Sequence, residues 1–163
     1  MAVETTTRGV LPSGEAYTIE EYEGFGWQLV SSQPTKNNVG MDIVRLTFSR
    51  DTEMEHYDKL KSSFEIYLEK EEEMKAISRQ QDEMGDAPEK PIFSVPRAVV
   101  SFIFGVFGFV CYYVSYKRKM KDYETYRKTY DTLQARFDQL DRECEELLVE
   151  AKELTNYQEK VAK

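Results

Sequence analysis

The sequence predicts an α+β membrane protein with three parts: a small N-terminal β-hairpin and helix domain, one transmembrane helix and a long C-terminal coiled-coil helix. Three observations lead to this fold class. Residues 98–116 form a run of nineteen residues without a charge, residues 123–161 carry a heptad repeat, and residues 44–49 alternate between apolar and polar side chains. These patterns are typical of a membrane span, a coiled coil and a half-buried strand, respectively.

The N-terminal part contains a predicted helix start and a predicted hairpin. Residues 1–17 are expected to be irregular, and residues 18–84 are expected to form a small α+β domain. Thr18 followed by Glu21 matches a capping box, so a short helix is expected to begin there and to end at the glycines that follow. Aromatic and β-branched residues on both sides of a polar loop predict a hairpin over 25–49.

A second capping box, Thr52 followed by Glu55, predicts a long helix over 53–81. Its first apolar residues recur at spacings of three and four, so they can cover one face of a small sheet. A linker that contains glycine and several prolines, residues 85–96, separates this domain from the predicted membrane segment.

The uncharged run predicts a single transmembrane helix over 97–116. As a helix it would extend about 28 Å, close to the hydrocarbon thickness of a bilayer. A basic cluster follows directly, as at the edge of a membrane: Lys117, Arg118, Lys119 and Lys121. Small residues in the run form a stripe through which membrane helices could pack, and the alternative is that they only face lipid: Ala98, Ser101, Gly105 and Gly108.

The basic cluster favours a single-pass membrane protein with a cytoplasmic C-terminus. The opposite orientation stays open, because no cleavable signal peptide precedes the N-terminal domain. A third topology is a hairpin over 93–116 that turns at 105–108. In that topology the helix over 54–81 can pack on the C-terminal helix.

The C-terminal segment, residues 117–163, predicts a coiled-coil helix. Apolar or aromatic residues occupy most a and d positions of nearly six heptads. The predicted seam consists of Tyr123, Tyr126, Tyr130, Leu133, Phe137, Leu140, Cys144, Leu147, Ala151, Leu154 and Val161. A single helix cannot cover such a stripe by itself, so a homo-oligomer or a partner coiled-coil protein is expected.

Residues with catalytic or metal-binding chemistry are scarce. His56 is the only histidine and lies beside glutamates at a helix start, and Cys111 and Cys144 have no zinc-site spacing. No phosphate-binding glycine loop or nucleophile motif occurs, so we predict no enzyme, no metal and no cofactor. Residues 1–91 contain ten Lys and Arg against nineteen Asp and Glu, a net charge of −9, which argues against a nucleic-acid partner.

One stretch resembles a known kind of domain. Gly26, Trp27, Leu29 and Val30, followed by Phe48 and Arg50, resemble a pattern in small bacterial domains of unknown function. In these domains a short helix leads through a Gly-Trp-(Glu)-Leu-Val strand into a second strand that ends in Phe-x-Arg. The resemblance covers about residues 18–50, with Gln28 at the usual acidic position. It implies a fold fragment and a bacterial origin.

Two functions fit these features. The first is a non-enzymatic membrane-anchored scaffold or assembly protein that oligomerises through its C-terminal coiled coil. The alternative is a sensory or regulatory single-pass membrane subunit whose N-terminal domain binds a ligand or a partner. A concave apolar pocket in the hairpin domain would favour the sensor, and a flat surface would favour the scaffold.

Overall fold

The structure is a computed structural model that describes residues 2–95, 97–98 and 106–161, without the side chains of 106, 107 and 156–161. The chain divides into two compact units. The first, here the sheet unit, consists of Met1–Glu72 and Leu140–Lys163, and the second, here the helical unit, consists of Glu73–Gln139.

The elements follow one another as an α+β chain. Strand β1 (Val3–Val10) leads through a 3-10 turn (Pro12–Gly14) into helix α1 (Glu15–Gly24). Strands β2 (Gln28–Lys36) and β3 (Asp42–Asp51) follow, and then the helices α2 (Tyr57–Glu83) and α3 (Val106–Val161). The three strands form one antiparallel sheet in the order β1-β3-β2.

The N-terminal segment is a strand rather than the irregular start expected over 1–17. β1 pairs with β3 along its whole length, from Val3 opposite Asp51 to Val10 opposite Val44. Its threonines are β-branched and favour extended backbone, but they stand in a row between the charged Glu4 and Arg8. An apolar alternation, the usual sign of a half-buried strand, is therefore missing from this segment.

Both predicted capping boxes are displaced from the helix starts. Helix α1 begins at Glu15, so Thr18 lies inside it and is buried. Helix α2 begins at Tyr57, and Thr52 lies in the turn that follows β3. The Thr52 amide and its hydroxyl both donate to the carbonyl of Ala2, at 3.0 and 2.9 Å.

The core of the sheet unit lies between one face of the sheet and the helices. Every second residue of β3 points into it, beginning with Val44, Leu46 and Phe48. The Tyr22 ring of α1 stacks on Phe48 with 4.4 Å between ring centroids and meets Phe64 of α2 at 5.0 Å. The other core members are Phe25, Trp27, Leu60, Tyr67, Leu140 and Ala151.

Helices α2 and α3 pack antiparallel within each unit. In the sheet unit, Lys59 pairs with Glu150 at 2.7 Å and Lys70 pairs with Glu143. In the helical unit, Arg136 binds Glu73 through two hydrogen bonds of 2.8 and 3.1 Å, and the Tyr126 hydroxyl donates to the carbonyl of Gly85 at 3.0 Å. Residues later in α2 thus meet residues earlier in α3.

The membrane prediction is wrong in fold class and in localisation. Among the residues that the structure describes, no helix is both long enough and apolar enough to cross a membrane. The uncharged part of α3 ends at Tyr116, and the helix then continues through charged residues to Val161. The predicted transmembrane helix over 97–116, the single-pass localisation and the inferred cytoplasmic C-terminus are corrected accordingly.

The path of the chain explains this correction. In a straight helix, residues 94 and 112 would lie about 27 Å apart. Instead the Tyr112 hydroxyl accepts a hydrogen bond from the Ser94 amide at 2.9 Å, and the Phe93 ring lies 5.5 Å from that of Tyr112. Ser94 and Tyr112 therefore do not belong to one continuous helix, which a hydropathy pattern does not reveal. Residues 99–105 of the predicted span lie outside the described residues.

The predicted membrane-packing stripe and basic cluster do not act at a membrane span. Ala98 is buried and Gly108 is half-buried, whereas Ser101 and Gly105 lie outside the described residues. The basic cluster is exposed on α3: Lys117, Arg118, Lys119 and Lys121. The Lys117 ammonium lies 5.7 Å from the centre of the Tyr113 ring.

Candidate functional site

Arg50 at the end of β3 lies in an aromatic cage in the sheet unit. The residue is 2% exposed, and its guanidinium carbon lies 4.3 Å from the centre of the Trp27 ring. The rings of Tyr57 and Phe64 lie at 5.1 and 5.9 Å. A planar guanidinium suits such stacking, because its charge is weakly hydrated and is attracted to the faces of aromatic rings.

The charge of Arg50 is balanced by Glu4 of β1. One carboxylate oxygen of Glu4 accepts hydrogen bonds from Arg50 and from the Tyr57 hydroxyl, each at 3.0 Å. Burial opposes the ionisation of Glu4, but these hydrogen bonds outweigh it and hold its pKa below the usual value. The same guanidinium donates to the carbonyl of Phe25 at 3.3 Å.

The cage gives a structural reason for the Gly-Trp and Phe-x-Arg residues of the resemblance. Gly26 has a φ of 81°, and an added Cβ would lie 2.9 Å from Cε of Met54, so this turn requires glycine. The turn places the Trp27 ring against the Arg50 guanidinium. Phe48 packs in the core on the same face of β3. These residues contact one another in the core of the sheet unit.

A second polar cluster lies where α1, α2 and α3 meet in the sheet unit. The Tyr67 hydroxyl donates to the Glu21 carboxylate, and burial raises the pKa of Glu21 despite the hydrogen bonds from Tyr67 and Tyr17. Burial raises the pKa of the Cys144 thiol to about 11, so Cys144 is protonated at neutral pH and unsuited to nucleophilic attack.

A solvent-open cleft of about 650 Å³ lies beside Trp27. Its wall combines two glycines and the apolar Leu29 and Met54 with charged residues. The charged residues include Glu20 and Lys152, which form an ion pair at 2.7 Å. The indole nitrogen of Trp27 is buried and has no hydrogen-bond partner among the described residues. The cleft is therefore polar at its rim rather than a concave apolar pocket.

The outer edge of β1 is the second candidate surface. The Thr52 amide binds the carbonyl of Ala2, which stands directly opposite it in the register of β1 and β3. Because bonded and non-bonded pairs alternate in antiparallel strands, the even-numbered residues of β1 direct their amides and carbonyls to β3. The odd-numbered residues direct theirs to the open edge: Val3, Thr5, Thr7 and Gly9.

The opposite side of β3 supports this assignment. The Asn37 amide donates to the carbonyl of Met41 at 2.9 Å, and the register of β2 and β3 places these two residues opposite each other. By the same alternation, the odd-numbered residues of β3 bond to β2 and the even-numbered ones bond to β1. Among the residues described, no strand pairs with the outer edge of β1.

The two edges of the sheet differ in protection. Pro34 of β2 has no amide hydrogen and lies at a position whose backbone is directed outward, and a register irregularity interrupts β2 between Leu29 and Ser31. Both features obstruct the addition of another strand. β1 has no proline and its register with β3 is regular over eight residues. Its edge is therefore open to strand addition.

The predicted coiled-coil seam lies on the less exposed face of α3. In the sheet unit, Leu140, Cys144 and Ala151 are buried, and Leu147 and Leu154 are half-buried. In the helical unit, Tyr123, Tyr126, Leu133 and Phe137 are half-buried, whereas Tyr130 is exposed. The side chain of Val161 lies outside the described residues. Since α2 packs on α3 within the chain, covering the seam does not require a second chain.

No metal site is found in the part of the chain that the structure describes, where no group of three His, Cys, Asp or Glu residues converges. His56 has a positive φ of 61° just before α2, and its ring lies 3.7 Å from the Glu55 carboxylate. Its position is that of a turn residue at the start of a helix.

Sequence reasoning missed both the Arg50 cage and the edge of β1. The cage depends on β1, α2 and the turn at Gly26, which are distant in sequence. The edge depends on the order of the strands. The available signal for β1 is the run of β-branched Thr5, Thr6 and Thr7, which favours a strand.

Comparison with known proteins adds no relationship: no family model, curated protein or solved structure matches this chain.

Proposed function

We propose that this chain is a non-enzymatic assembly protein whose sheet unit binds an extended protein strand along the open edge of β1. The observation that carries this proposal is the row of outward backbone groups on Val3, Thr5, Thr7 and Gly9. Such a row binds a further strand through main-chain hydrogen bonds, as in other proteins that recognise extended peptides.

Several polar side chains bind other side chains within the sheet unit, and this supports an assembly function over catalysis. The buried Arg50 binds the partly buried Glu4, and Tyr67 binds Glu21 between helices. Cys144 is buried and protonated. Each of these groups has a structural partner or environment, and none of them lines the cleft beside Trp27.

The ligand-binding alternative has less support. A sensory or regulatory domain was expected to show a concave apolar pocket. The cleft beside Trp27 is open to solvent and has Glu20, Glu23 and Lys152 in its wall. The exposed face of the sheet carries hydroxyl groups from Thr5, Thr7, Ser31 and Thr47 among others.

Replacing Thr7 by proline tests the assembly function. The Thr7 amide points to the open edge, so Thr7→Pro removes one outward donor and leaves the bonds between β1 and β3 in place. In extracts of cells that produce the protein, the wild-type chain is expected to elute in a complex larger than a monomer and Thr7→Pro to elute as a monomer. Thr7→Ala, which keeps the amide, is the matched control and is expected to elute like the wild type.

The fold of each variant is checked through the fluorescence of Trp27, the only tryptophan. If folded Thr7→Pro stays in the same complex as the wild type, or if the wild-type chain elutes as a monomer, the proposed function is contradicted.

A further inference from the structure

We propose that the strand bound at the edge of β1 is β1 of a second copy of this chain, paired antiparallel about a two-fold axis at Thr6. This inference rests on the proposed function and names its partner. The result is one continuous six-stranded sheet with the helices of both copies on the same face.

The direction of the backbone groups limits the possible registers. Outward amides and carbonyls occur on odd-numbered residues, so an odd-numbered residue must stand opposite an odd-numbered residue of the second copy. With the axis at Thr6, Thr5 faces Thr7 of the second copy, and Val3 faces Gly9 of the second copy. Each of these bonded pairs exchanges two hydrogen bonds, about eight across the whole pairing.

The charges on β1 select this register. The sequence Glu4-Thr5-Thr6-Thr7-Arg8 has opposite charges at equal distances from Thr6. An axis at Thr6 therefore places Glu4 opposite Arg8 of the second copy, and Arg8 opposite Glu4 of the second copy. These are non-bonded pairs, whose Cα atoms approach to about 4.5 Å and whose side chains interact most closely.

Neighbouring registers lose this match. With the axis at Thr5, Glu4 would face Thr6 of the second copy, and Arg8 would face Ala2 of the second copy. With the axis at Thr7, Glu4 would face Val10 of the second copy instead. Both shifts leave the charges without an opposite charge across the new pairing, so self-complementarity is greatest at Thr6.

Both charged side chains are already held in place within the sheet unit. Arg50 and Tyr57 bind the Glu4 carboxylate at 3.0 Å, and Glu71 binds the Arg8 guanidinium at 2.5 Å. Dimerisation would join them into a row of alternating charge: Arg50, Glu4, then Arg8 and Glu71 of the second copy. Because each side chain is partly ordered beforehand, less conformational entropy is lost on association.

Single cysteines on β1 test the partner and the register together. Thr6→Cys places two thiols opposite each other on the axis, within the Cα separation that a disulfide requires. Thr5→Cys is the matched control, because its two copies would be about 8 Å apart, beyond disulfide reach. Both are made with Cys111→Ser, which removes an exposed thiol, while the buried Cys144 remains as the internal negative control.

The purified full chain is expected to sediment at twice the monomer mass, and Thr7→Pro at the monomer mass. On mild oxidation, most Thr6→Cys chains are expected to become covalent dimers, with at least a tenfold smaller fraction for Thr5→Cys. Equal cross-linking of the two variants, or more for Thr5→Cys, would overturn the register.

A purified wild-type chain that sediments as a monomer at its highest soluble concentration would overturn the second copy as partner. If the complex in extracts nevertheless depends on Thr7, a foreign strand occupies the edge, and the proposed function survives without this inference.

Discussion

At the scale of single residues, Arg50 connects three elements of the sheet unit. It binds Glu4 on β1, lies over Trp27 before β2 and faces the rings of Tyr57 and Phe64 on α2. Burying a cation is costly unless its charge is paired. Here Glu4, the Phe25 carbonyl and the aromatic rings offset part of the lost hydration, whereas the buried Nε of Arg50 has no hydrogen-bond partner among the described residues.

Replacing Arg50 tests this arrangement. Arg50→Ala leaves the partly buried Glu4 without its cation and uncovers the Trp27 ring, so we expect a loss of about 2–3 kcal/mol in the free energy of unfolding. Arg50→Lys keeps the charge but loses the planar stacking, with an expected loss of about 1–2 kcal/mol. Urea unfolding followed through Trp27 fluorescence measures both.

Arg45 supplies the matched control on the same strand, because it lies on the exposed face of β3. Arg45→Ala is expected to change stability by less than about 0.5 kcal/mol. An Arg50→Ala variant as stable as Arg45→Ala would show that the cage does not stabilise the fold.

At the scale of elements, the amphipathic face of α3 is covered inside the chain. Leu140 is 0% exposed in a single copy, and ion pairs such as Lys59 with Glu150 join α2 to α3 beside it. The heptad pattern correctly marks which face of α3 is less exposed. It cannot tell a partner helix in another chain from a partner helix in the same chain, since both bury the same a and d positions.

Replacing Leu140 by aspartate separates these two cases. A charge at this fully buried position is expected to lower the free energy of unfolding by at least about 3 kcal/mol. Because the covering helix belongs to the same chain, the loss should be the same at low and high protein concentration. Val149→Asp, at an exposed position of α3, is the control, with an expected change below about 0.5 kcal/mol.

Denaturant unfolding at two protein concentrations, well separated, measures the effect of Leu140→Asp. A loss that grows with protein concentration would mean that the seam is an interface between chains, as the heptad repeat first suggested.

At the scale of the whole molecule, short-range patterns predict some elements and miss others. The alternation in 41–49 predicts β3, and the spacing of apolar residues predicts α2, because both patterns are local consequences of burial on one face. β1 is missed because its middle residues, Glu4–Arg8, are all polar and show no apolar alternation. The transmembrane helix over 97–116 is wrong because hydropathy does not show that Ser94 and Tyr112 lie in contact.

The candidate site is still less visible from the sequence. An edge exists only once the order of the strands is known, and that order places β3 between β1 and β2. The symmetry of Glu4 and Arg8 about Thr6 is present in the sequence. It indicates a register for pairing only when the outward residues of β1 are known. For the whole molecule, these features predict assembly through β1.

Amide hydrogen exchange along β1, measured residue by residue, tests that claim most directly. In concentrated protein, the outward amides of Thr5 and Thr7 should be as protected as the inward amides of Thr6 and Arg8. On dilution, Thr5 and Thr7 should lose protection while Thr6 and Arg8, which bond to β3, keep theirs. Rapid exchange of Thr5 and Thr7 at every concentration would contradict assembly through this edge.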